Sequence, residues 1–381
     1  MKAAGGDVIV AGAGLIGLAI AFELAERGAT VRVYDRGEPA RAASWAGAGL
    51  LAPYAEVLRE PALLELCVAS LGEYAPFVER VRDAGGVDPM LRSGGVLHVA
   101  SDEPALAGLR ERDRTLKSRG IASELLARSA VIAAEPWLSR HVTGGLLVRD
   151  EGWVDNRRLG RALASACEAR GVGITTTASL RVECDTRRVL GVATDFGFVA
   201  AARVINACGA WAAQLDGPPA PCRPPVTPVK GQMLALGVPR DFVRRATWAA
   251  DCYLVPRDDG RLLVGATVES AGFDERPTAQ GMHDLLHAAL TAAPSLANFS
   301  VTESWSGLRP GTPDGLPFLG ATRLDGFFLA TGHYRNGILL APITARLIAD
   351  AIEGREAQAL RPFSIERANA EESRAARTTY A

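Results

Sequence analysis

Val8-Ile9-Val10-Ala11-Gly12-Ala13-Gly14-Leu15-Ile16-Gly17 is the stretch on which the fold turns. A short apolar run is followed at once by a G-x-G-x-x-G spacing, and Leu15 to Arg27 then carries apolar residues at helical intervals until Gly28 stops them. The pattern predicts a strand, a tight turn and a helix. Thr30 to Tyr34 alternates β-favouring residues and ends at Asp35, 23 positions after Gly12. The three glycines do different things. Gly12 permits the turn, Gly14 lets backbone N–H groups approach a pyrophosphate, and Gly17 lets the helix pack on the strand. The helix N-terminus faces the anion, and Asp35 stands where a ribose hydroxyl needs an acceptor. A carboxylate there repels the 2′-phosphate of NADP.

The next segment, Arg41 to Leu51, is rich in small residues, among them Ala43, Ser44, Ala48 and Gly49. It has the composition of a flexible loop, and also that of a backbone wall that can lie along a pyrophosphate and a flavin ring. An NAD enzyme has less need of it, so FAD is the better match. Further on, the apolar strand Ala202 to Ala207 runs into Cys208-Gly209-Ala210-Trp211-Ala212, a second glycine turn opening a helix. It reads either as ordinary α/β packing or as the second wall of the dinucleotide site. The expected cofactor contacts are therefore Gly12, Gly14, Leu15, Ile16, Gly17, Asp35, Arg36, Ala43, Ser44, Ala48, Gly49 and Leu50, with Ser179, Gly209 and Trp211.

Between these walls the chain reads as mainly helical from Ala52 to Arg128, with a strand at Gly95 to Ala100. A strand from Gly144, the amphipathic helix Leu159 to Arg170 and a strand Val172 to Thr177 form a β-α-β piece expected to add to the first sheet. Six prolines between Pro218 and Pro228 mark a domain crossing. Beyond it the pattern is β: Val229 to Leu236, Cys252 to Pro256, and a hairpin turn at Arg257-Asp258-Asp259-Gly260 into Leu262 to Thr267. The expectation is an α/β fold, a Rossmann-type FAD-binding domain with a second α+β substrate domain built on an antiparallel sheet. The boundaries expected are 1–85, 145–222 and 305–365 for the first, 86–144 and 223–304 for the second, and 366–381 for a tail.

Whole-chain properties narrow the partners. The 381 residues suit two lobes, and 42 Lys and Arg against 43 Asp and Glu give a net charge of -1 and no pull toward nucleic acid or anionic lipid. Six cysteines are scattered with no C-x-x-C pair and no metal-ligand spacing, so they read as core thiols in a reducing cytosol, with no metal. A strand begins within seven residues, which leaves no room for a secretory leader. The most apolar long run, Ile338 to Ile352, is short of the ~20 residues a bilayer requires and carries Pro342, Arg346 and Asp350. A cytoplasmic enzyme with a small-molecule substrate is expected.

Two later signatures carry a family resemblance. Gly307-Leu308-Arg309-Pro310-Gly311-Thr312-Pro313-Asp314-Gly315-Leu316-Pro317-Phe318-Leu319-Gly320, followed by Gly332-His333-Tyr334-Arg335-Asn336-Gly337-Ile338-Leu339-Leu340-Ala341-Pro342, resembles the C-terminal signature of glycine oxidases, in the D-amino-acid oxidase group of flavoproteins. Asp251 to Arg257, Pro228 to Gln232 and the N-terminal fingerprint support the match, which spans about residues 7 to 365. The resemblance implies that Arg309 clamps a substrate carboxylate, that Tyr253 hydrogen-bonds it and that Arg335 lines the same pocket. It places His333, Tyr334, Arg335, Asn336, Gly337, Ile338 and Leu339 against the flavin pyrimidine, at the start of the last helix. The reaction implied is hydride transfer from the substrate α-carbon to flavin N5, imine hydrolysis to glyoxylate plus ammonia or amine, and reduction of O2 to hydrogen peroxide, with no side-chain base.

The chain also departs from its relatives. Related sarcosine oxidases attach flavin to a cysteine near a Thr-Pro-Asp like that at 312 to 314; no cysteine follows Cys252 here, so FAD should be held non-covalently. Leu50 and Val268 stand where glycine oxidases commonly carry methionine, and Asp251 replaces a histidine. These three are the expected substrate-pocket positions that put plain glycine in doubt and favour an N-substituted glycine. Two other readings stay open: a flavin amino-acid dehydrogenase of D-amino-acid or sarcosine type handing electrons to a quinone or carrier, and a non-catalytic FAD-binding module. Relatives are often homo-oligomers.

Overall fold

The structure, a computed structural model, describes residues 7–56, 58, 60–355 and 358–368. The rest of the expected tail, 369–381, lies outside the described residues. Val8–Ala11 sits at the centre of a six-stranded sheet, paired in parallel with Val31–Asp35 on one side and Arg203–Asn206 on the other. Gly173–Thr176 and Phe327–Thr331 extend it in parallel, and Phe318–Ala321 closes one edge antiparallel. The glycine turn works as its spacing requires. Gly12 has φ +109°, and a Cβ on it would lie 2.4 Å from the Ala207 carbonyl oxygen. A Cβ on Gly17 would lie 1.9 Å from the Gly12 carbonyl oxygen, so only glycine lets the helix Leu15–Glu26 sit this close to the strand.

That helix is apolar around most of its circumference because helices Asn156–Ala169 and Ala341–Ile352 pack on it in addition to the sheet. Pro61–Gly85 is the one helix among the described residues long and apolar enough to cross a membrane by length and composition. Its apolar face is covered within the protein: Tyr74 and Phe77 are buried, and Ser70 Oγ donates to the Leu339 carbonyl (2.6 Å) and Tyr74 OH to that of Ile338 (3.1 Å). These two bonds brace the turn that precedes the last helix.

The second layer is an eight-stranded sheet in the order Val301–Gly311, Thr227–Gly237, Arg261–Gly265, Tyr253–Pro256, Thr247–Trp248, Val96–Ala100, Gly144–Val148, Ser123–Ala127. All pairs are antiparallel except Thr247–Trp248 with Val96–Ala100. Its two faces alternate along each strand. Leu234, Leu254, Leu262 and Val264 pack with helix Ala279–Ala292, while Met233, Val255, Leu263 and Trp305 pack toward the small-residue loop.

Two segments expected in the first sheet pair in the second. Gly144–Val148 lies between Val96–Ala100 and Ser123–Ala127, and only Gly173–Thr176 of the β-α-β piece joins the nucleotide sheet. Its two glycines admit close neighbours: a Cβ on Gly145 would stand 2.9 Å from the His98 carbonyl oxygen. Residues 305–311 likewise continue an antiparallel strand against Thr227–Gly237. A fully buried strand shows no alternation, so its pattern does not say which sheet it enters.

Candidate active site

At the nucleotide end, Asp35 closes its strand with both oxygens on backbone amides, Oδ2 accepting from Ala13 (2.6 Å) and Oδ1 from Gly37 (2.9 Å). The Leu15 amide at the helix start donates to Ser44 Oγ (2.9 Å), which ties the small-residue loop to the glycine turn. Arg36 lies over the Trp211 ring, 3.7 Å from its centroid, and Trp211 stacks on Phe273. Ser179 is exposed, its hydroxyl donating to Asp195 (2.6 Å), and it stands outside the cavity described next.

That cavity opens where the two sheets meet. Gly14 to Ile16, Ala43, Ser44, Ala46 to Leu50, Ala52 and Gly209 form one side; Met233, Trp248, Tyr253 and Arg309 form another; and Thr331 and His333 to Ile338 close it. The loop keeps its shape through side chains to which the sequence assigns no site role. Arg257, 5% exposed, donates through Nη2 to the Ala48 carbonyl (2.8 Å) and to Asn156 Oδ1 (2.9 Å). Asn156 Nδ2 donates to the carbonyls of Ser44 (2.8 Å) and Trp45 (3.0 Å), and Trp305 Nε1 to that of Ala46 (2.9 Å). The carbonyls of one short segment are thus satisfied from behind. Burial pushes the Arg257 guanidinium down to about 10, against the opposing pull of Asp155. In sequence Arg257 reads as a hairpin-turn residue, and nothing local marks it.

The polar centre of the β wall is Arg309 on Val301–Gly311. Its Nη1 donates to the carbonyls of Thr267 (3.1 Å) and Lys230 (3.3 Å), and among the described residues no carboxylate lies within ion-pair distance of it. A Cβ on Gly231 would lie 2.3 Å from Arg309 Nη1, and one on Gly265 2.5 Å from the Tyr253 ring, so two glycines make room for the two groups. Tyr253 meets Trp248 edge-on at 5.5 Å, with its hydroxyl 3.9 Å from Met233 Sδ. Trp248 and Met233 were not singled out from the sequence: Met233 falls within the expected strand Val229 to Leu236, and Trp248 within no expected element. We expect Gly231→Ala to displace the mobile guanidinium tip and not the fold, raising KM about 10–100-fold with FAD retention unchanged; steady-state kinetics and flavin content check this.

Leu50 and Arg335 line the cavity, but two other expected pocket positions do not. Val268 is 52% exposed, and with Asp251 it borders a separate surface depression shared with Glu269 and Asp284. Gly265 explains the displacement of Val268: the strand Arg261–Gly265 ends there, and Thr267 turns its carbonyl to Arg309 while Val268 turns out. Asp251 precedes the strand Tyr253–Pro256 and is exposed. The last helix begins at Ala341, so His333 to Leu339 form the turn leading into it.

The model of the family described as FAD dependent oxidoreductase matches residues 7–351. The chain belongs to this family. Glycine oxidase of Pseudomonas aeruginosa is 38% identical over 354 residues, 92% of this chain and 95% of that protein. The bifunctional protein ThiO/ThiG of a Nostoc species is 39% identical over 354 residues; this chain spans about half (52%) of its length. The crystal structure of glycine oxidase from Geobacillus kaustophilus superposes with a TM-score of 0.90 at 35% identity, covering 94% of this chain and 98% of that one.

The residues present fit FAD. Gly14 and Ser44 leave space at a helix N-terminus, and a Cβ on Gly14 would approach Ser44 Oγ to 3.3 Å. Among the described residues, the amides of Gly337, Ile338 and Leu339 donate to no protein acceptor, which suits them to a flavin carbonyl. Cys252 is buried on the face of the sheet away from the cavity, and burial beside Asp251 pushes its thiol up to about 12.

His333 is buried with Nε2 3.1 Å from Thr344 Oγ1. Burial pushes its pKa down from 6.5 to about 3, so between those values the unfolded chain binds the proton and the folded one does not. Stability therefore falls as pH drops through 6.5 toward 3. Urea denaturation at pH 7 and pH 5 should show a loss of about 2 kcal/mol from this group that His333→Gln removes.

Proposed function

We propose that the chain oxidises glycine or an N-substituted glycine to glyoxylate plus ammonia or amine, with O2 reduced to hydrogen peroxide. The observation that carries the reading is Arg309: a permanently charged guanidinium in a cavity wall, bonded only to carbonyls and left without an anionic partner among the described residues. Its planar fork suits a substrate carboxylate, and Tyr253 beside it supplies a hydroxyl to the same group. With its carboxylate held there, an amino acid extends its α-carbon and amine toward Leu50 and the turn at 333–338.

FAD, when bound non-covalently along the loop, supplies the hydride acceptor and the route for electrons to O2. The protein's part is orientation. No carboxylate or lysine lines the cavity among the described residues, so no side chain offers itself as a strong base, and apolar surroundings favour the neutral amine, which can donate its lone pair as the α C–H bond breaks. Water then hydrolyses the imine product.

The test is anaerobic bleaching of the flavin band near ~450 nm, a cofactor-centred signal, with glycine, sarcosine, D-alanine and larger N-alkylglycines. Fast bleaching by glycine or an N-alkylglycine, with stoichiometric peroxide on admission of air, supports the proposal. Bleaching without peroxide points to a dehydrogenase, and none by any of these rejects the substrate class.

A further inference from the structure

Behind the Trp248 wall lies a buried polar chain for which the proposed reaction has no use. Glu151 is fully buried, and its two oxygens brace two parts of the cavity wall far apart in sequence. Oε1 accepts from the Tyr54 amide (3.1 Å), just beyond the wall residues Leu50 and Ala52, while Oε2 lies 3.0 Å from His98 Nε2. Arg112 Nη1 lies 3.2 Å from His98 Nδ1. A guanidinium only donates, so Nδ1 is the acceptor and Nε2 carries the proton given to Glu151. His98 and Trp248 are register partners on adjacent parallel strands, with rings 5.9 Å apart and 16° from parallel. Trp248 in turn meets Tyr253 edge-on.

We infer that Glu151 and His98 are positioning residues that fix the plane of Trp248, and that Trp248 so fixed sets the size of the amine substituent the cavity admits beside Tyr253. An indole on the two-residue strand Thr247–Trp248, with one side open to the cavity, has freedom to turn. A stacked ring held at both nitrogens removes that freedom. A buried carboxylate is costly unless fully bonded, and this one is bonded by groups from two elements, as a cross-brace requires. The substrate-size arm of the inference rests on the amino-acid oxidation proposed above; the positioning arm does not.

The experiment uses the FAD-loaded protein with His98→Gln, which retains an amide donor for Glu151 but no ring, Glu151→Gln, which keeps the shape without the charge, and Trp248→Phe as reference. The near-UV circular dichroism that Trp248→Phe removes is expected to fall to about half or less in the other two variants. In the same variants the kcat/KM ratio of N-benzylglycine to glycine should rise about tenfold, through KM and with kcat little changed. A merely structural role lowers the melting temperature and leaves that ratio alone. An unchanged dichroic signal in His98→Gln overturns the positioning role; a lost signal with an unmoved ratio overturns the size-setting role. Should the unmutated protein oxidise neither amino acid, the proposed function fails, and the dichroism still decides whether His98 and Glu151 hold the indole.

Discussion

Arg309→Ala is expected to lower kcat/KM for the amino-acid substrate about 10³-fold while FAD remains bound. Two charge-assisted hydrogen bonds to a carboxylate, each worth about 1.5–3 kcal/mol, are lost together with the orientation they impose. The guanidinium sits on the β wall, bonded to Thr267 and Lys230 carbonyls, while the groups that suit FAD lie on the glycine turn, the small-residue loop and the turn at 333–339. Cofactor retention and turnover should therefore separate cleanly. Arg309→Lys should recover little, because an ammonium presents a point charge and not a planar fork. Flavin content by absorbance and kinetics on the same preparation make the measurement; turnover within a few-fold of the parent removes the clamp assignment.

The second large effect is on stability and cofactor affinity together. Arg257→Ala should cost about 3–4 kcal/mol of folding free energy, because it leaves the Asn156 Oδ1 and Ala48 carbonyl acceptors without their buried donor and removes the cation beside Asp155. The loop that loses its support runs along the cavity from Ala43 to Leu50, so FAD should also bind at least about tenfold more weakly. Denaturation of the apoprotein gives the first number and flavin fluorescence titration the second. Both values near the parent's would show that the loop holds its shape without this arginine.

Both experiments probe the divide between what local sequence states and what only the folded chain assembles. The glycine turn was legible because its physics is local: Gly12, Gly14 and Gly17 act within two turns of chain, and Asp35 ends the adjacent strand. Arg309, Tyr253 and the turn at 333–338 line one cavity, but the roles expected of them came from the resemblance to glycine oxidases, since nothing in their spacing alone demands a carboxylate clamp. Leu50 lines the cavity that this resemblance suggested; Val268 does not, because the chain turns outward after Gly265, and Asp251 does not, because it sits exposed ahead of the strand Tyr253–Pro256.

Sequence by itself determined four strands of the nucleotide-binding sheet, the helix at its glycine turn and the change to antiparallel β structure after the proline cluster, because each depends on periodicity and turn chemistry within about 20 residues of chain. Tertiary structure alone decided which sheet Gly144–Val148 joins, that Arg257 and Asn156 support the small-residue loop, that Gly231 and Gly265 leave space for the Arg309 and Tyr253 side chains, and that Glu151 reaches His98 and Tyr54. Apart from Gly265 beside Tyr253, these are contacts between residues roughly 50 to 210 positions apart, formed by strand register and burial. No short-range pattern encodes them, because the cost of burying an arginine or a glutamate is met by partners that only the completed fold brings near.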